Sequence, residues 1–276
     1  MSTANSVAGH YGSAGIAERV LAAWRAANGP DARPTPDSLA QFDHFHGRGV
    51  LATQELAAQL ALRPGERVLD IGSGIGGPAR WFAAKFAVPV TGVDLTPEFC
   101  AAAEALSAAT GLADRVSIIH GSALALPVPD GAFDAAYSQN VIMNIADKRL
   151  FYREAFRALR PGGRLVLSNL CAGPMGEPYF PVPWATTRDT SFLATPQEMR
   201  ADLLAAGFAI ADFRDITDAT REAQRRTRER IDKGEVPRIA VDIIMGERAR
   251  EMQWNSIRSI EEGRGIAIEA LVRKPG

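Results

Sequence analysis

Residues 68–77 read VLDIGSGIGG, an apolar run that passes directly into four glycines. Glycine tolerates backbone conformations closed to other residues and lets a partner approach the main chain, so this loop is built for a close contact. Gly72, Gly74 and Gly77 fit G-x-G-x-x-G, a spacing found in dinucleotide sites and also in chance glycine turns. The flanks argue against chance. RVLDIG (67–72) reads as a buried strand and PARWFAAKFA (78–87) as a helix entered through proline, so backbone N–H groups gather at a helix N-terminus. Asp94 ends the next strand, PVTGVDL (89–95), twenty positions after Gly74, where a carboxylate can accept from both hydroxyls of a ribose. A nucleoside-containing ligand follows.

Asp70 separates the candidate ligands. A pyrophosphate on this loop would meet a carboxylate of its own sign, which counts against NAD. S-adenosylmethionine carries an ammonium and a sulfonium, and Asp70 stands where it can assist the ammonium, directly or through water. The loop N–H groups are left for the methionine carboxylate.

Outward from the loop, strand and helix alternate. TPEFCAAAEALSAATG (96–111) reads as a helix with Thr96 as N-cap and Pro97 at its first position. RVSIIHGSA (115–123), FDAAYSQN (133–140) and GRLVLSNL (163–170) read as strands, with a helix over 147–160 stopped by Pro161-Gly162-Gly163. This rhythm predicts a doubly wound α/β fold with a parallel sheet. Before it stands a helical lead-in (1–64): helices over 14–27 and 52–62, separated by a loop carrying Pro30, Pro34 and Pro36. After it come a proline-rich lid (171–194), a helix over 195–208 and a strand over 208–216. A helical cap insertion (217–262) and a last strand complete the domain at 65–276.

Thirty-one basic and 32 acidic side chains leave a net charge of −1, which argues against a nucleic-acid partner. The basic run REAQRRTRER (221–230) alternates with Glu and reads as a solvated helix face. Cys100 and Cys171 imply neither a disulfide framework nor a zinc site. Four histidines show no metal-ligand spacing, so no metal is expected, and no window is apolar and long enough for a membrane span. The N-terminus has no secretory pattern, and a cytoplasmic location is expected.

VLDIGSGIGG, VTGVDLT, HGSALALPVPDGAFDAAYSQNV and EAFRALRPGGRLVLSNL together resemble the class I S-adenosylmethionine-dependent methyltransferases. FDHFHGRGVLATQELA and FPVPWA resemble a narrower small-molecule group, the sarcosine and dimethylglycine N-methyltransferases with their ubiquinone- and tocopherol-type relatives. The resemblance implies a Rossmann-like, seven-stranded, mostly parallel sheet with a C-terminal antiparallel strand pair. It implies S-adenosyl-L-methionine as cofactor and a small-molecule methyl acceptor. Gly72, Ser73 and Gly74 would wrap the methionine moiety with Asp70 nearby. Asp94 would hold the ribose, Leu95 would pack on the adenine, and Ser122 and Ala123 would meet its edge. The family commonly has Asp where this chain has Ser122, which implies weaker adenine binding or an acceptor role passed to the backbone. Gln139 would line the cofactor on the side facing the acceptor.

Around the acceptor, several residues carry two readings. His46 could serve as a base with a pKa near working pH, or as a structural and cofactor contact, and the second is preferred. Asn140 and Asn144 could orient a polar group or cap the helix near Asp147. Tyr179 and Trp184 could stabilise a cationic amine through their rings or simply pack over the sheet. Tyr11 could close over the cofactor. The stretch IAVDIIMGERAREMQ, with Met245 and Met252, suits a substrate cap and a homodimer contact equally. The first expectation for the acceptor is a small amine of the glycine-betaine type. An O- or C-methylated quinone, terpenoid or polyketide is the close alternative, favoured by the apolar residues Ile142, Met143 and Phe192. An NAD-dependent oxidoreductase and a non-catalytic S-adenosylmethionine-binding protein are the readings from other classes.

Overall fold

The computed structural model describes residues 15–44, 46, 48–233 and 240–276. Tyr11 lies outside them. Strands β1 (Val68–Ile71), β2 (Val90–Asp94), β3 (Val116–His120), β4 (Phe133–Gln139), β5 (Leu159–Ala172), β6 (Ala209–Asp215) and β7 (Gly265–Arg273) form one sheet in the order β3-β2-β1-β4-β5-β7-β6. The pairs β1–β2, β2–β3, β1–β4 and β4–β5 are parallel, and β7 runs antiparallel to both β5 and β6. Every residue of β1 is buried, as a parallel strand covered on both faces must be. Strand order reverses beside β1, so the loops after β1 and β4 open a crevice at the carboxyl ends of the strands.

The lead-in is part of the same core. Helix α1 (Ile16–Asn28) puts Val20 and Trp24 against Leu39, Ile75, Phe99 and Leu106, while α3 (Gly49–Leu60) packs Leu56 and Leu60 against Val68, Tyr137 and Val166. Between them the predicted loop contains a helix, α2 (Pro36–Asp43). Thr35 and Ser38 form a reciprocal capping box, and Pro36 occupies the first turn, where its missing N–H removes no helical hydrogen bond.

Helices α4 (Gly77–Phe86), α5 (Pro97–Ala109), α6 (Lys148–Ala158) and α7 (Pro196–Ala205) match their predicted spans to within a few residues. Two details differ. Thr96 stands at the N-cap of α5 but makes no side-chain cap bond; its backbone N–H instead donates to Asp94 Oδ1 at 2.9 Å. Strand β5 begins at Leu159, so Pro161-Gly162-Gly163 falls inside the strand rather than between helix and strand.

The cap comprises α8 (Thr217–Asp232), α9 (Ala240–Met245) and α10 (Ala249–Glu261). On α8, Arg225 and Arg226 pair with Glu222 on the exposed face. Ile243 and Ile244 of α9 bury themselves in the α1–α2–α5 cluster of their own chain, and Met252 is buried as well. The described apolar side chains Ile243, Ile244 and Met252 of this stretch are therefore covered within the chain.

Candidate active site

The loop after β1 turns at Gly72, whose φ is +82° and whose N–H donates to Val93 O at 2.8 Å. A Cβ there would stand 2.3 Å from Val141 Cγ2, so the Val141 side chain, just after β4, packs directly on the Gly72 backbone. Asp94 closes the loop from the other side. Its Oδ2 accepts from Gly74 N at 2.8 Å and its Oδ1 from Thr96 N. Burial raises the pKa of this carboxyl, while those N–H groups oppose the shift.

Asp70 is buried beneath the loop, and its Oδ2 accepts from Tyr137 Oη at 2.8 Å. Burial, with the Asp94 charge nearby, pushes its pKa up to about 7 against the pull of that hydrogen bond. A carboxyl poised in this way gains most from a cation brought into its surroundings.

These groups open on a cavity of about 840 Å³. Asp70, Gly72, Ser73, Gly74, Asp94, Leu95, Ser122, Ala123 and Gln139 all line it, as do His46, Asn140, Asn144 and Trp184. Among the buried polar atoms on its wall, Ser73 Oγ, His44 Nε2, His46 Nδ1 and Gln139 Nε2 have no hydrogen-bond partner among the described residues. A buried polar atom left unpaired costs roughly 1–3 kcal/mol, so this end of the cavity suits a guest rich in hydrogen-bonding groups. The Ser122 hydroxyl accepts from Leu124 N at 3.1 Å and keeps a second lone pair.

Three expectations change with the geometry. His46 is half-buried on the cavity wall, and burial, with His44 and Arg48 close by, lowers its pKa to about 3. It is a neutral ring in long contact with Thr53 Oγ1, at 3.4 Å, and not a base poised near neutral pH. Tyr179 does not line the cavity. Its ring lies 3.9 Å from the Arg258 guanidinium and 4.3 Å from that of Arg264, and its hydroxyl donates to Glu262, so the chain's own cations occupy it. Asn144 neither caps a helix nor leaves its amide N–H to an acceptor: Nδ2 donates to Trp184 O at 2.6 Å and to Thr190 O, which ties down the lid. Asp147 is the cap of α6, accepting from Leu150 N.

Trp184 is buried against Met143, Leu170, Val182 and Ile260, with its Nε1 donating to Ser191 Oγ. Asn140 holds a φ of +54° at the end of β4, its N–H bound to Ser168 O. Residues not singled out in the sequence complete the wall. His44 is held through Nδ1 by Asp43 Oδ1 at 2.9 Å, and Thr220 and Gln224 reach the cavity from α8. No group of three His, Cys, Asp or Glu side chains that could hold a metal occurs among the described residues. No described helix is long and apolar enough to cross a membrane.

A nucleotide-scale crevice at the switch point of a β3-β2-β1-β4-β5-β7-β6 sheet defines the class I methyltransferase fold. Residues 69–167 match the family described as methyltransferase domain. The 27-O-demethylrifamycin SV methyltransferase of Amycolatopsis mediterranei is 32% identical over 183 residues, which cover 65% of this chain and 67% of that protein. The chain belongs to the S-adenosylmethionine-dependent methyltransferases. Phosphoethanolamine N-methyltransferase 1 of Arabidopsis thaliana is 34% identical over 142 residues, 49% of this chain, and the chain covers only 28% of that longer protein. The geranyl diphosphate C-methyltransferase of Streptomyces coelicolor, solved with S-adenosyl-L-homocysteine, superimposes with a TM-score of 0.72 over 99% of this chain and 98% of its own, at 16% identity.

Proposed function

We propose that the protein transfers a methyl group from S-adenosylmethionine to a small, largely apolar acceptor, at oxygen or carbon. One observation carries the acceptor half of this reading. Beyond the polar end, the cavity wall includes the apolar residues Val50, Leu51, Met143, Leu170, Trp184 and Ile257, and Tyr179 is not part of it. The methyl donor supplies an electrophilic methyl on a sulfonium, and the protein's work is to bind, align and exclude water. Holding the attacking atom roughly 3 Å from the methyl carbon and opposite the sulfur supplies much of the rate. In this reading Gly72, Ser73 and Gly74 wrap the methionine end with Asp70 beside its ammonium. Asp94 takes the ribose, and Leu95, Ser122 and Ala123 take the adenine. Gln139 faces the acceptor. His46 serves as a contact. The 34% identity to a phosphoethanolamine N-methyltransferase supports a second reading, a small amine acceptor.

Turnover measured as S-adenosylhomocysteine release separates the two. Terpenoid, quinone and polyketide acceptors should turn over, and dimethylglycine and phosphoethanolamine should not. Turnover with the amines alone would reverse the assignment, and binding of the cofactor without turnover on any acceptor would favour a non-catalytic binder.

The raised pKa of Asp70 gives a pH signature. A carboxyl with a folded pKa near 7 and an unfolded one near 3.8 holds more protons when folded, so its contribution to stability falls as pH rises from about 4 to 7. Cofactor binding runs the other way, because the ammonium favours the carboxylate. S-adenosylhomocysteine should bind about tenfold more weakly at pH 6 than at pH 8, releasing close to one proton at pH 6 when calorimetry is repeated in buffers of different ionisation enthalpy. Asp70→Asn should flatten that profile. An unchanged slope in the variant would assign the proton elsewhere.

A further inference from the structure

We propose that Thr220 and Gln224, on the cap helix α8, form a recognition subsite for a neutral hydroxyl on the acceptor, remote from the atom that is methylated. The inference rests on the methyltransferase reading above and adds the polar feature by which that site would select its substrate.

The two side chains sit four residues apart on one helix, which places them side by side on a single face. Both residues are more than nine-tenths buried, with exposures of 7% and 8%, and both line the large cavity. Thr220 Oγ1 and Gln224 Oε1 have no hydrogen-bond partner among the described residues. A helical threonine usually settles its hydroxyl on the carbonyl four residues back. Here Ile216 O receives the Thr220 backbone N–H at 2.9 Å, and the hydroxyl remains unmatched. A glutamine is likewise a costly choice for a buried cavity wall unless something pairs with it.

Position separates this pair from the cofactor end. The start of α8 is fixed to β7, through Ala267 N donating to Thr217 Oγ1 and Ile216 N donating to Ala267 O. Strand β7 lies beyond β4 and β5, on the opposite side of the switch point from β2 and β3, which carry Asp94 and lead to Ser122. The other cavity-lining residues from 216 to 267 are Ile216, Ala223, Gln253, Ser256, Ile257, Ile260 and Ala267, and none of them is charged. An ammonium, carboxylate or phosphate would be desolvated there without a counter-charge. A hydroxyl fits both lone groups: its hydrogen to Gln224 Oε1, its oxygen accepting from Thr220 Oγ1.

The test is calorimetric titration of the protein saturated with S-adenosylhomocysteine, using 1-decanol, the isosteric ether 1-methoxynonane, and decanoate as probes. The alcohol should bind about tenfold more tightly than the ether, which cannot donate to Gln224, and decanoate should bind no better than the ether. Gln224→Leu and the isosteric Thr220→Val should each narrow the gap by weakening the alcohol while leaving the ether within about twofold. An unchanged melting temperature and S-adenosylhomocysteine affinity show that the variants remain folded, and Thr220→Val carries the test if Gln224→Leu does not fold. Alcohol and ether binding alike, neither binding, or a gap that survives both substitutions overturns the subsite. Failure of S-adenosylhomocysteine to bind the wild-type protein overturns the methyltransferase reading and the subsite with it, whereas tight cofactor binding without the gap removes the subsite alone.

Discussion

Asp94→Ala should weaken S-adenosylhomocysteine binding at least a hundredfold in calorimetric titration. The carboxylate does two jobs through the same oxygens. It accepts from Gly74 N and Thr96 N, holding the glycine loop against the start of α5, and each oxygen keeps a lone pair for a ribose hydroxyl. A hydrogen bond to a charged group contributes about 1.5–3 kcal/mol, so losing two from the ligand is about a hundredfold or more before the loop's own loosening is counted. Asn is no remedy. Its amide nitrogen would confront either Gly74 N–H or Thr96 N–H, donor against donor, so Asp94→Asn should bind nearly as poorly as Asp94→Ala. Glutamate retains both acceptors on a longer stem and should recover part of the affinity. Wild-type affinity in the alanine variant would remove Asp94 from the site.

That site was readable in the sequence where chemistry and local structure coincide. The buried run Val68–Ile71 and the glycines that follow share one short segment, and Asp94 terminates the neighbouring strand, so strand pairing alone brings Asp94 to the loop. Sheet topology could be anticipated for the same reason, because each strand-helix alternation is local. Elements whose meaning depends on a distant partner were not readable. Tyr179 looked available because its occupants, Arg258, Arg264 and Glu262, lie about 80 residues downstream. His46 carries an ordinary histidine's expectation until burial beside His44 and Arg48 lowers its pKa.

Helix α2 was obscured by its prolines, although Thr35-Pro36-Asp37-Ser38 contains both the cap and the first-turn proline that begin it. Thr220 and Gln224 were hidden in a different way. They sit in a helix whose charged residues dominate its pattern, and only contact with β7 and α10 shows which stripe faces inward. The cavity-lining groups that hold charge or turn the chain are thus legible, whereas Thr220 and Gln224 come from the cap, where sequence pattern is weakest.

The largest stability effect is expected at Arg80, which no motif marked. Its side chain has no exposed surface, yet it ties three parts of the site together. Nη2 donates to Asp43 Oδ2 at 2.9 Å and to Ile75 O at 2.8 Å, and Nη1 donates to Ala103 O at 3.2 Å. The lead-in, the glycine loop and α5 are thereby joined through one guanidinium. The joint is tight, since a Cβ on Gly77 would stand 2.4 Å from Asp43 O. Arg80→Met removes the cation and leaves the Asp43 carboxylate buried with only His44 beside it, a situation that typically costs 3–5 kcal/mol. Urea unfolding should register a loss of about that size, and S-adenosylhomocysteine affinity should fall with it as the Ile75 carbonyl is released. The double variant Asp43→Asn/Arg80→Met separates charge from shape. It has no stranded charge and should regain at least half of the lost stability, while cofactor affinity, which depends on the missing link to the loop, should stay low. If the double variant is no more stable than Arg80→Met, the loss comes from packing around the guanidinium and not from the stranded carboxylate. If Arg80→Met unfolds within about 1 kcal/mol of the wild type, the buried pair does not hold the lead-in to the loop.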